Sequence, residues 1–325
     1  MTNETMGPVL IIAGMHRSGT SFVSSLLKES GLNVGERLTD GAAANAKGFF
    51  ENIDFVRLHA NILKDQGLNP SGWTLEEKID VSADYRKLAK TTVLENSQPS
   101  PWGWKDPRTT LFLDFWDEQL PGAKYLFVFR SPWEIVDSLF RRGDKTFQDD
   151  PALAVKVWEH YNRLALRFYS QHRDQCLFVH VDQIAKNPQA LIESINQKFA
   201  LQLTPAASTF DQSLFRKEPA TSHRPLLIRE FFPSSFKIWE ELKATAQIQG
   251  ADIEPQSASL PDFGDQILFD WLALRKSQST IKNLEKELEQ SKAELDASNQ
   301  QLEAFGRSRI WQVRHKLVKI RKLLF

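Results

Sequence analysis

The sequence predicts an α/β protein: a parallel sheet flanked by helices, followed by a C-terminal coiled-coil helix. Three observations carry this reading. Short unbroken apolar runs such as Tyr125-Leu126-Phe127-Val128-Phe129 recur along the chain, and each leads into a helical pattern. Strands of that kind are buried on both faces by helices. The first run, Val9-Leu10-Ile11-Ile12-Ala13, enters a loop bounded by Gly14 and Gly19 and then a helix start. Past residue 265, apolar residues step by three and four among Glu and Lys, the pattern of a helical seam.

The elements follow in order. Residues 9–14 form the first strand, and 20–30 a helix with Phe22, Leu26 and Leu27 on one face. Residues 102–105 form a short strand that ends at Asp106-Pro107, and a helix runs from about 108 to 119. Residues 124–130 are a continuous strand, and Pro132 opens a helix through 142, since proline suits a first helical turn. A long amphipathic helix covers 151–173, a strand 176–181 and a helix 188–199. Residues 67–100 and 203–235 show little periodicity and much Pro, Ser and Thr, and are expected to form a lid and loops. Ligands of such sheets sit at the carboxyl ends of the strands, so Arg17, Lys105 and Arg130 are expected along one edge.

Composition bounds the function. The chain has 325 residues, enough for one catalytic domain with additions. Its 41 Lys and Arg balance 41 Asp and Glu, so nothing global points to nucleic acid. The single cysteine, Cys176, excludes an internal disulfide and suits a reducing, cytoplasmic setting. It lies in the run Cys176-Leu177-Phe178-Val179 and reads as a core thiol. The N-terminus has no basic region ahead of an apolar stretch, so no signal peptide is expected, and no apolar run reaches the ~20 residues of a membrane span. Seven histidines are scattered without metal-ligand spacing, and no metal is expected.

The loop Gly14-Met15-His16-Arg17-Ser18-Gly19-Thr20-Ser21 has the glycine spacing of a nucleotide P-loop. A P-loop carries Lys after its second glycine, and here Thr20 stands there. Arg17 supplies the cation instead. Glycines permit the tight turn, backbone N–H groups converge with the helix N-terminus, and Arg17 offers a planar fork for two oxygens. Ser18, Thr20 and Ser21 add hydroxyls. Read alone, the segment is also an ordinary strand–turn–helix corner. A kinase would place an acidic residue after a second strand to hold Mg²⁺. Here Arg130 follows Phe129, with Ser138 two helical turns on, which suits a second phosphate.

These motifs resemble those of sulfotransferases that use 3′-phosphoadenosine 5′-phosphosulfate (PAPS). The glycine loop is similar to their 5′-phosphosulfate loop. Phe129-Arg130-Ser131-Pro132-Trp133-Glu134-Ile135-Val136-Asp137-Ser138 is similar to their 3′-phosphate motif, and Trp104-Lys105-Asp106-Pro107-Arg108 to a motif of the bacterial and Golgi-type branches. Val179-His180-Val181-Asp182-Gln183-Ile184 with Asn187-Pro188 resembles the family's fourth-strand segment. The resemblance spans roughly residues 8–200 and implies a P-loop-like sulfotransferase domain over 1–248.

It implies that Arg17, Ser18, Gly19, Thr20 and Ser21 hold the 5′-phosphosulfate, that Arg130 and Ser138 hold the 3′-phosphate, and that Lys105 places a charge on the leaving oxygen. The product is adenosine 3′,5′-bisphosphate (PAP). The glycine-rich closing loop of cytosolic members is not evident, and Arg216 with Lys217 is its substitute. Glu51, in Lys47-Gly48-Phe49-Phe50-Glu51-Asn52, resembles a glutamate of related bacterial enzymes and is the first choice of base. Glu36 is the second, with His16 and Asp106 behind it. The expected acceptor is a hydroxyl of a glycan or a glycolipid-linked molecule. Trp73, Trp102 and Trp104 suit either a sugar platform or the core. A P-loop kinase and a non-catalytic coiled-coil scaffold are the alternatives.

Residues 249–265, with Pro255 and Pro261, read as a linker, 266–305 as the coiled-coil helix and 306–325 as a basic amphipathic tail. Ile281, Leu284, Leu288, Ser291, Leu295, Ser298, Leu302 and Phe305 form a seam, and a homodimer through 281–305 is expected. The tail from 307 holds seven Lys and Arg and no acid, with Ile310, Val313, Leu317, Ile320 and Leu324 on one face. That suits peripheral contact with an anionic inner-membrane surface. Ser308-Arg309-Ile310-Trp311 also resembles tails of bacterial glycosyltransferases, which hints at a surface-polysaccharide pathway.

Overall fold

The computed structural model describes residues 6–39, 50–205, 223–248, 260–307, 313–314 and 316–319. Lys47, Gly48, Phe49, Arg216, Lys217, Ile310, Trp311, Ile320 and Leu324 lie outside them. The chain divides into two units, Met1–Ala258 and Ser259–Phe325.

The first unit is built on four parallel strands: β1 (Val9–Ala13), β2 (Trp102–Lys105), β3 (Lys124–Phe129) and β4 (Cys176–His180). Their spatial order is β2-β1-β3-β4. Ile12 lies beside Lys105 and Ala13 beside Phe127. The chain therefore passes from β1 to β2 on one side and then crosses back over β1 to β3 on the other. Such a reversal opens a crevice beyond the carboxyl ends of the strands. The loop after β1 and Arg130 after β3 meet at that place.

Strand residues alternate between two cores. Ile11, Trp104, Tyr125, Phe127 and Phe178 enter one, while Leu10, Ile12, Leu126, Val128 and Val179 enter the other. Helices cover both faces. The second core receives Val23, Leu26 and Leu27 from α1 (Thr20–Glu29). The first receives Phe55, Leu58 and Ile62 from α2 (Ile53–Asp65) and Ala89 and Val93 from α3 (Ala83–Asn96). A 3₁₀ turn (Pro107–Phe112) precedes α4 (Leu113–Gln119), so the expected helix at 108–119 is two pieces. Next come α5 (Pro132–Arg142), α6 (Lys145–Asp149), α7 (Pro151–Gln171), α8 (Val181–Lys186), α9 (Pro188–Phe199), α10 (Arg224–Phe231) and α11 (Pro233–Thr245).

Three elements depart from expectation. Residues 67–100 were expected to be loop, yet they contain α3. Its buried stripe is thin, only Ala89, Thr92 and Val93, and its start is fixed by Ser82, which accepts the Tyr85 N–H. Likewise α10 and the start of α11 fall inside 203–235. Trp73, Trp102 and Trp104 are all buried, so the core reading holds and none offers an open ring to a sugar. Cys176 is buried as a core thiol, its pKa pushed up to about 12 by burial.

The second unit is α12 (Leu260–Arg307). It begins inside the segment read as a linker, with Pro261 in its first turn, where a missing N–H costs nothing. Ile281, Leu284, Leu288, Leu295, Leu302 and Phe305 are all exposed along it. Val313, Leu317 and Val318 of the tail are exposed as well. Among the described residues no helix is long and apolar enough to cross a membrane.

Candidate active site

The loop after β1 takes its shape from backbone requirements. Gly14 has φ 136°, and a Cβ there would lie 2.2 Å from the Val128 carbonyl oxygen, so only glycine fits. Arg17 has φ 70° and Gly19 φ 94°. Left-handed arginine is uncommon and marks a strained, functional turn. The Gly14 N–H donates to Thr110 Oγ1 at 3.0 Å, which ties the loop to the turn after β2. Ser18 turns both its N–H and its hydroxyl back to the Met15 carbonyl, at 3.2 and 2.7 Å. It braces the loop from a fully buried position. Helix α1 starts at Gly19 without a side-chain cap. The first-turn N–H groups at Thr20 and Ser21 thus remain available to an anion.

Lys105, at the end of β2, is almost wholly buried and donates from Nζ to Glu51 Oε1 at 2.7 Å and to Ser21 Oγ at 3.2 Å. The start of α1, the end of β2 and Glu51 therefore meet at one amine. Glu51 is held by its own backbone. The Thr39 N–H donates to its carbonyl at 2.8 Å, and Leu38 bridges Asn52 in antiparallel pairing. Asn52 then caps α2 by accepting the Asp54 N–H at 3.0 Å.

Arg130 follows β3. Its Nε and Nη2 donate to Glu134 at 3.2 and 3.1 Å, and the Ser131 hydroxyl donates to the same carboxylate at 2.6 Å. Trp158 Nε1 donates to the Arg130 carbonyl at 3.1 Å. Arg17 reaches across from the first loop and donates from Nε to Ser138 Oγ at 2.9 Å. The first and third strand ends thus share one cleft. Burial, then Arg142, Arg130 and Arg141, lower the Arg17 pKa. Four arginines gathered this way repel one another, and an anion among them relieves that cost. Asp144, which accepts from Arg142 Nε at 2.7 Å, offsets part of it.

The other candidates for a base are placed differently. Asp106 is fully buried and accepts from His59 Nδ1 at 2.8 Å, from the Arg108 N–H at 3.1 Å and from Arg108 Nη1 at 2.8 Å. Burial alone would raise its pKa, but Arg108 and His59 hold it far below the usual carboxylate range. His59 Nε2 accepts from Trp116 Nε1 at 2.8 Å, so its proton sits on Nδ1, facing Asp106. Asp106 is an anchor within this chain of bonds. His16 packs against Trp73 with ring centroids 4.6 Å apart. Burial, then Arg108, hold its pKa well below 6.5. Glu36 is exposed. Of the four, Glu51 is the one bonded to Lys105.

Arg108, Glu134, Arg141, Arg142 and His59 were not singled out from the sequence. Glu134 had a signal, since residues four apart on a helix meet, and Arg141 stands likewise four past Asp137, which it pairs at 3.0 Å. His59 had none, because Asp106 and Trp116 are remote in sequence; Arg108 lies two residues from Asp106, but its bond to Pro70 is remote.

The sulfotransferase family model matches residues 8–205, more than half of the chain, and the chain belongs to that family. Among solved structures, it is similar to the sulfotransferase STF9 from Mycobacterium avium at 14% identity, covering 81% of this chain and 76% of that one, with a TM-score of 0.44. It is also similar to a sulfotransferase domain from the Synechococcus PCC 7002 olefin synthase, at 16% identity over 77% and 91% of the two chains, with a TM-score of 0.39. No curated protein matches the chain significantly.

Proposed function

We propose that this sulfotransferase moves a sulfuryl group from PAPS to a hydroxyl of a glycan or glycolipid-linked acceptor and releases PAP. The observation that carries the reading is the 2.9 Å bond from Arg17 to Ser138, which joins the two anion motifs in one cleft. The loop amides, Arg17, Thr20 and Ser21 hold the 5′-phosphosulfate. Arg130 and Ser138, with Arg141 and Arg142 nearby, hold the 3′-phosphate. Ser18 keeps the loop in shape.

In the transfer, the acceptor oxygen bonds to sulfur as the bond from sulfur to the bridging phosphate oxygen breaks. Lys105 Nζ donates to that leaving oxygen. Glu51, relieved of Lys105, takes the proton of the acceptor hydroxyl. The transition state is loose, so positioning and charge stabilisation do most of the work. Among the described residues no His, Cys, Asp and Glu cluster suits a metal, and the reading requires none.

Calorimetric titration with PAP and with ATP, in EDTA, tests this. PAP is expected to bind at least tenfold tighter than ATP, because the adenosine 3′-phosphate is the group the Arg130 motif serves. Equal affinities, or ATP binding restored by magnesium, would favour the kinase reading.

The exposed seam of α12 pairs with a second copy of itself. Its three–four spacing from Ile281 to Phe305 is that of a two-stranded coil, and the unpaired stripe would otherwise face water. The basic tail contacts an anionic membrane surface. Truncation after Ala258 is expected to keep PAP affinity and to convert a species of two full chains into one of a single truncated chain in sedimentation. A full chain that sediments as a monomer, or a truncated chain that stays a dimer, would sink the coiled-coil pairing.

A further inference from the structure

We infer that Arg108 is a specificity-determining residue that receives an oxyanion of the acceptor beside the hydroxyl to be sulfated. This rests on the proposed sulfuryl transfer and names the acceptor class.

An arginine side chain carries five N–H donors. Arg108 Nε donates to the Pro70 carbonyl at 2.8 Å and Nη1 donates once to Asp106 at 2.8 Å. The remaining three, including both on Nη2, have no protein acceptor among the described residues. The side chain is only 13% exposed, so this is not a surface arginine splayed into water. A guanidinium so enclosed, with an open donor edge, is an incomplete site.

Its surroundings place it at the reaction centre. It stands three residues past Lys105, the partner of Glu51. Burial would lower its pKa, yet Asp106, then Glu51, then Tyr161 outweigh that and raise it. The charges acting on Arg17 are instead Arg142, Arg130, Arg141 and Asp144. Lys105 and Arg108 are the cations around Glu51, and both act together with Arg142 on His16.

The residue is also preorganised. Trp116 fixes His59, His59 fixes Asp106, and Asp106 fixes Arg108. Little entropy is left to lose when the open edge takes two oxygens, which a carboxylate or phosphate presents in matching geometry. Pinning the loop at Pro70 uses a single donor and does not account for the rest. Tyr161 holds that loop independently, donating to the Gly72 carbonyl at 3.0 Å.

The test uses the full chain saturated with PAP and titrated with methyl glucoside, methyl glucuronide and methyl glucoside 6-phosphate. At least one anionic sugar is expected to bind about tenfold or more tighter than the neutral one, and the two anionic arms tell carboxylate from phosphate. Arg108→Gln is expected to abolish that preference while PAP affinity stays within about twofold. If Arg108→Gln fails to bind PAP, Arg108→Lys is read instead, with the preference expected to fall at least about threefold. Equal binding of all three sugars, no binding of any, or a preference that survives the substitution overturns the inference. Failure of the wild-type chain to bind PAP would instead strike the proposed function.

Discussion

Lys105→Met is expected to slow PAP release from PAPS, with water or a supplied hydroxyl as acceptor, by about 10²–10³-fold. The magnitude follows from removing one preorganised donor from the atom where charge develops. PAP affinity should fall by less than the rate, because PAP keeps the former leaving oxygen on its 5′-phosphate but the charge that develops on it is what the amine serves in the transition state. The same substitution also strands Glu51, whose carboxylate is mostly buried against Lys105 at 2.7 Å. Breaking such a pair on one side costs about 3–5 kcal/mol of stability. Activity and stability are separable by a cycle. Lys105→Met with Glu51→Gln removes both charges and should recover most of the lost stability, yet leave transfer as slow as the worse single variant. Denaturant midpoints and PAP release measured on the four proteins check this. If the double variant recovers activity along with stability, the pair is structural and the catalytic reading fails. The scaffold reading predicts the same failure by another route, since none of the four would then differ in transfer.

The phosphate-binding loop was legible because its geometry is local. Gly14 cannot carry a Cβ beside Val128, and that demand shows in the sequence as glycine at a strand end. The parallel sheet was legible for a similar reason, since strands buried on both faces read as apolar runs. Helix α3 was not, because a stripe of Ala89, Thr92 and Val93 is too thin to stand out as periodic. Lys105 and Glu51 were each identifiable by chemistry, but nothing in the sequence says that 54 positions of chain close to 2.7 Å. Asp106 illustrates the reverse. As a carboxylate next to Lys105 it stood among the outside candidates for the base, and its three donors make it an anchor. Arg108 stayed in the background because its value depends on which of its donors are left over.

Arg130→Ala is expected to weaken PAP binding by about 10²–10³-fold, from two or so charged hydrogen bonds at roughly 1.5–3 kcal/mol each. A second effect adds to the first. Glu134 is buried and its charge is balanced by Arg130 through two bonds. Without that guanidinium, only the Ser131 hydroxyl still donates to it among the bonds described here. An uncompensated carboxylate then stands beside the place of the phosphate and repels it. Adding Glu134→Gln to Arg130→Ala should therefore recover part of the affinity, about tenfold, though no cation has been restored. Glu134→Gln alone should do the opposite of a simple loss. It removes the opposing negative charge while its amide oxygen can still accept one bond from Arg130, so PAP binding should hold or tighten while its dependence on salt steepens. These three measurements exclude each other's explanations. If Arg130 merely held the start of α5 in place, Glu134→Gln would weaken PAP binding as Arg130→Ala does, and the double variant would recover nothing.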